Sequence, residues 1–189
     1  MKFSERYQYT IVCEDGQTKD FLLNILKSQG INERKIRINS AEAGIGSGEA
    51  FVRREYPKEL KKLRSMSYMK RALIVCTDAD LYSIEERKTA LDQYCKETDN
   101  CPARKKQEPV MIWIPRRAIE NWIHFWGEED ENVQEETEYR HTGNPVRCKE
   151  EAIKMSRYLQ GHQLVSDPLR SLIDAKQEYE NLCDKFETE

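Results

Sequence analysis

Three acidic residues stand where short carboxylates could do chemistry. Asp78-Ala79-Asp80 places two carboxylates one residue apart, with only a small side chain between them, and directly after the most continuous apolar run in the chain, ALIVC at 72–76. Glu14 follows a second such run, YQYTIVC at 7–13. Carboxylates held close repel one another, and a hard cation such as Mg²⁺ relieves that repulsion by taking oxygen ligands. A metal held by Glu14, Asp78 and Asp80 would polarise a phosphoryl oxygen or activate water. An isolated acidic pair in a loop is also commonly just solvated, so the pattern gains weight from the two strands that precede it.

Other reactive residues carry less. His124 lies among Trp122, Phe125 and Trp126 and reads as a packed helix residue, while His141 and His162 sit in polar surroundings. No Ser/His/Asp or Cys/His arrangement emerges from spacing. Arg116 and Arg117 open a helix next to the acidic segments, as phosphate contacts or as surface charges. Among the six cysteines, Cys13 and Cys76 lie inside apolar runs, and Cys95 and Cys101 lack a second Cys/His pair at zinc spacing. The glycines Gly44, Gly46 and Gly48 make a loop without the Lys-Ser/Thr ending of a phosphate-binding loop, which reads as a connector.

The elements that must position the carboxylates follow from periodicity. Residues 7–13 form a strand, and Thr18 is placed to cap a helix carrying Phe21, Leu22, Ile25 and Leu26 until Gly30 stops it. Residues 35–39 alternate as a second strand. A basic helix follows over 49–66, with Pro57 placed to kink or divide it. The strand at 72–76 is the central one, a helix spans 83–94, and VMIWI at 110–114 is a fourth strand. RAIENWIHFW at 117–126 is helical with Ile119, Trp122, Ile123 and Trp126 on one face. After Gly127 comes an acidic run, 128–138, and then helices over about 145–159 and 167–186, the second with Asp167 as N-cap. Strands alternating with helices predict a mostly parallel, four-stranded sheet, whose sites form beyond the carboxyl ends of its strands.

Composition bounds the rest. The 189 residues suit one domain with appendages: an α/β core at 1–127, and an acidic loop with C-terminal helices at 128–189 packing on or extending it. A net charge of -3 gives no global field toward nucleic acid, and the basic runs at 53–54, 58–64, 104–106 and 116–117 read as solvated faces. The N-terminus lacks a signal peptide's apolar stretch, and no segment approaches the roughly 20 apolar residues of a membrane span. The expectation is a cytoplasmic protein with reduced thiols and no membrane partner.

The segments IVCEDGQTKDFL, LIVCTDAD and IPRRAIENWIHFW together resemble the Toprim superfamily, in particular the small stand-alone members related to RloB-like restriction-associated proteins and OLD-family nucleases. The likeness covers about residues 7–126. It implies a Toprim-like sheet and a Mg²⁺-dependent nuclease, with Mn²⁺ able to substitute. Glu14 would act as acid/base or metal ligand, Asp78 and Asp80 as metal ligands, and Glu120 as a further catalytic or orienting carboxylate. It also implies a nucleic-acid substrate and a role in prokaryotic anti-phage defence beside an ATPase partner. One departure stands out: the pattern has Gly directly after its Glu, whereas Asp15 intervenes here, so Asp15 is an alternative to Glu14. The rival reading is a catalytically inactive Toprim-like module that binds nucleic acid or protein. A phosphoacceptor receiver domain fits less well, since it places its acidic pair at the first strand.

Overall fold

A computed structural model describes residues 1–42, 46–128, 133–137, 139 and 147–187. Four strands, β1 (Gln8–Cys13), β2 (Ile36–Ser40), β3 (Arg71–Cys76) and β4 (Val110–Trp113), form one sheet in the order β2-β1-β3-β4, with every pairing parallel. The chain is thus α/β, as the alternating elements predict, with its sheet flanked by helices. Helix α1 (Gly16–Ser28) crosses from β1 to β2, α2 (Gly48–Ser65) from β2 to β3, and α3 (Ile84–Asp99) from β3 to β4. Three further helices follow, α4 (Ile119–Glu128), α5 (Arg147–Leu159) and α6 (Arg170–Glu187).

Each face of the sheet is buried, which is why β1 and β3 read as apolar runs. Tyr9, Ile11, Cys13, Ala72, Ile74, Cys76, Met111 and Trp113 point to one side and pack with α1, α4, α5 and α6. Val12, Leu73, Val75, Val110 and Ile112 point to the other, against α2 and α3. The C-terminal helices therefore share the main core with β1, β3 and β4. Helix α6 also covers the sheet's edge at β4: Ile112 N–H donates to Glu178 at 3.1 Å, and the Trp113 indole N–H donates to the Ala175 carbonyl at 2.9 Å.

Several local expectations are corrected. Asp15, not Thr18, caps α1: its carboxylate accepts the Thr18 N–H at 2.8 Å. The Asp lies one residue before the helix, where its side chain can turn back onto the first free amides. Pro57 does not divide α2 into two helices, because a single helix runs through it. Helix α3 begins after a capping box, Ser83 with Glu86, and continues past residue 94 to Asp99. Helix α6 starts at Arg170 instead of near Asp167, and its Ser171 N–H is capped from elsewhere in the chain, by Glu135 at 2.7 Å. A cap supplied across 36 residues leaves no local signature. The expected helix start at 145, the centre of the glycine loop and much of the acidic run lie outside the described residues. Among the described residues, no helix is long and apolar enough to cross a membrane.

Candidate functional site

The direction in which the chain crosses the sheet changes between β1 and β3: β2 lies on one side of β1, while β3 and β4 continue on the other. That arrangement opens a crevice beyond the carboxyl ends of the two central strands. Cys13 and Cys76 are paired in register, so Glu14 and Thr77 are the first residues past the sheet and stand side by side.

The Glu14 carboxylate is held at one oxygen. Its Oε1 accepts from the Thr77 hydroxyl and from the Asp78 N–H, the latter at 2.9 Å. Thr77 is buried, and its own N–H donates to the Trp113 carbonyl at 3.2 Å, so the group that orients Glu14 is anchored to β4. On the other side lies Gly48, the first residue of α2. A Cβ there would fall 2.7 Å from Glu14 Cβ and 2.9 Å from Glu14 Oε2. Glycine is thus required for α2 to begin this close to the carboxylate.

Charge is crowded here. Burial pushes the Glu14 carboxyl above its ordinary range, and the Thr77 and Asp78 hydrogen bonds oppose that rise only in part. Asp78 is driven well above its ordinary value by burial first, and then by the charges of Glu14, Glu120, Asp15 and Asp80. Glu14 and Asp78 are therefore an adjacent pair that both resist ionisation, chiefly because they are buried, with the charge of Glu14 adding to the rise at Asp78 and Arg87 offsetting part of the rise at Glu14.

Asp80 stands differently. Its backbone is left-handed, with φ 56°, an uncommon state for a non-glycine residue. Its carboxylate meets Arg87 at 2.9 Å. Arg87 is 5% exposed, also pairs with Glu49 at 3.0 Å, and lies over the Tyr82 ring at 4.9 Å. Arg116 and Arg117 reach the same loop: Arg116 donates to the Tyr82 carbonyl at 2.6 Å, and Arg117 to the Asp80 carbonyl at 3.3 Å. Beside the loop runs a groove of about 630 Å³ lined by Ser47, Arg53, Asp80, Tyr82 and Arg87 among others.

The structure thus brings Glu14 and Asp78 together, sets Glu120 near enough for its charge to act on Asp78, and turns Asp80 toward Arg87. Among the described residues, no three Asp, Glu, His or Cys side chains are gathered closely enough to hold a metal ion together. Glu14 and Asp78 fit a hard cation as a partial donor set, two oxygen ligands whose mutual repulsion it would relieve. Asp15 is committed to capping α1. His124 stacks on Tyr139, with ring centroids 4.2 Å apart, as a packed helix residue does. All six cysteines are buried without disulfides, and burial pushes the Cys13 thiol up to about 12, far from a nucleophile's range.

Sequence reasoning missed Thr77, Gly48 and Arg87. Thr77 had a signal, a hydroxyl between a buried strand and the acidic pair. Gly48 had one only as part of a glycine-rich loop, and Arg87 had none, being one charged residue in a charged helix.

Fold and site define a class, a parallel α/β protein with an acidic crevice at the point where its chain reverses direction across the sheet. No family model matches the chain, and neither a curated protein nor a solved structure does.

Proposed function

We propose that the chain is a Mg²⁺-dependent nuclease of the Toprim type, acting on phosphodiester bonds in nucleic acid, with Mn²⁺ able to replace Mg²⁺. The observation that carries this reading is the Glu14–Asp78 pair at the reversal point, adjacent, partly buried and resisting ionisation. A bound divalent ion would supply charge neutralisation at the phosphoryl oxygens and a more acidic water. The chain's own residues supply the remainder. Thr77 and the Asp78 amide fix Glu14 through Oε1, leaving Oε2 as the oxygen that takes a proton from, or returns it to, a reacting water or leaving oxygen. Asp78 and Asp80 are the ligand candidates, and Glu120 adds a negative charge beside Asp78 that a bound cation would relieve. The resemblance further suggests a place in anti-phage defence with an ATPase partner, which rests on analogy.

A second reading, an inactive Toprim-like binding module, is favoured by one observation: Asp80 is already paired with Arg87. Cleavage assays on circular duplex DNA, single-stranded DNA and RNA with Mg²⁺ or Mn²⁺ separate the two. Glu14→Gln and Asp78→Asn should each abolish metal-dependent cleavage while the protein stays folded. Each should also melt no earlier than the parent at pH 7, since a carboxyl whose folded pKa is raised destabilises the fold above that pKa and not below its unfolded one. Cleavage unchanged in Asp78→Asn refutes the nuclease assignment.

A further inference from the structure

Asp80 is the residue for which sequence and structure pull apart. It belongs to an acidic pair with Asp78, yet its side chain, 58% exposed, spends its charge on an arginine that is itself buried. Arg87 gives Nη2 to Asp80 at 2.9 Å and Nη1 to Glu49 at 3.0 Å, while its Nε is buried without a partner. The backbone at Asp80 is in the left-handed region, which strains a non-glycine residue and persists only when neighbours hold it. Those neighbours are Arg87 on the carboxylate and Arg116 and Arg117 on the carbonyl, at 3.5 and 3.3 Å.

We propose that Arg87 is a latch: its guanidinium takes the place of a divalent cation at Asp80, and the third carboxylate joins Glu14 and Asp78 only when Asp80 exchanges Arg87 for the metal. The proposal rests on the metal-site reading above and names the residue that regulates that site. Three features of the structure support it together. Asp80 does not converge with Glu14 and Asp78 into a three-carboxylate group although it stands two residues from Asp78, the ion pair that holds it is anchored by a buried arginine, and its own backbone is held in the left-handed region, from which it can relax. Glu49 keeps Arg87 in place when Asp80 leaves, so release does not strand an unpaired buried charge. The device makes affinity for the cation depend on how often the latch is open: if nine molecules in ten are latched, the apparent affinity is about tenfold weaker than that of the open form.

The test is a double-mutant cycle read by calorimetric titration of the full chain with Mn²⁺ alone, without nucleic acid. Arg87→Gln should tighten Mn²⁺ binding about tenfold in the parent protein, and by no more than about twofold in Asp80→Asn, where there is nothing to unlatch. Equal tightening in both backgrounds means that Arg87 acts only by general repulsion of the ion, and overturns the latch. So does an unchanged affinity in Arg87→Gln. A second readout needs no loss of the buried charge pair: in the ¹⁵N-labelled parent protein, the Arg87 side-chain Nε–Hε resonance, assigned with Arg87→Lys, should move during Mg²⁺ titration and saturate with the binding heat. A resonance that stays still while Mg²⁺ binds also overturns it. Failure of the metal-site reading looks different, because the parent protein would then give no saturable Mn²⁺ heat at all; that result removes both.

Discussion

Replacing Gly48 with alanine adds one methyl group at the point where α2 starts against Glu14. The new Cβ would lie 2.7 Å from Glu14 Cβ, 2.9 Å from Oε2 and 3.0 Å from the Glu14 carbonyl oxygen. Reaching an ordinary 3.4 Å contact requires about 0.7 Å of movement, and one of the three atoms is backbone at the end of β1, so the side chain cannot simply rotate away. Overpacking of this kind costs about 1–3 kcal/mol, and the better helix propensity of alanine returns up to about 1 kcal/mol. The net loss is then roughly 0–3 kcal/mol, a fall of up to about 10 °C in Tm for a chain of this size. The functional loss should be larger than the structural one, because displacing a catalytic group by about 1 Å costs on the order of 100-fold. Gly16→Ala is the control. Gly16 is likewise the first residue of its helix, α1, but no atom lies within 4 Å of its would-be Cβ, so the propensity change is matched and the steric clash is absent. Metal-dependent cleavage and thermal melts of the two variants side by side make the measurement. If Gly48→Ala cleaves as well as Gly16→Ala, then Glu14 is not the group whose position matters, or it has room that the structure denies it.

Asp15→Ala removes the cap of α1 and should cost about 1 kcal/mol of stability, read by denaturant melts, while leaving Mn²⁺ affinity within a few fold; a loss as deep as that of Glu14→Gln would return the acid/base role to Asp15. Glu178 is a structural counterpart: burial alone would raise its carboxyl, but Arg104 at 2.6 Å, Lys88 at 3.0 Å and the Ile112 N–H outweigh that and bring it from 4.5 to about 2. Because its pKa is depressed by folding, it contributes about 3 kcal/mol that is fully present above pH 4.5 and lost as pH falls toward 2. Glu178→Gln should therefore lower Tm by several degrees at pH 7 and flatten the stability curve across that acid window; an unaltered acid limb would show that other carboxylates control it.

Much of the frame was legible before any coordinates. Continuous apolar runs at β1 and β3 announce strands buried on both faces, because only such strands need no polar alternation, and the alternation of strands with helices implies a parallel sheet with its site at the carboxyl ends. The tryptophans of α4 likewise reveal their buried face through spacing alone. From these facts the chain's own order of residues determined that Glu14, Asp78 and Asp80 would all follow strands.

What sequence did not determine is which of them meet. The order β2-β1-β3-β4 makes β1 and β3 neighbours, and that alone puts Glu14 beside Thr77 and Asp78. The choice between Glu14 and Asp15 is tertiary in part: Asp15 has a local partner in the Thr18 amide, while Glu14 meets the Thr77 hydroxyl and the Asp78 amide across the sheet. Asp80 is the sharpest case, since its carboxylate meets Arg87, a residue on the next helix that also pairs with Glu49 and lies over the Tyr82 ring. Periodicity reports which side of an element is apolar, a local property of the chain, whereas the distance between two charges depends on strand order and on the partners that compete for each of them.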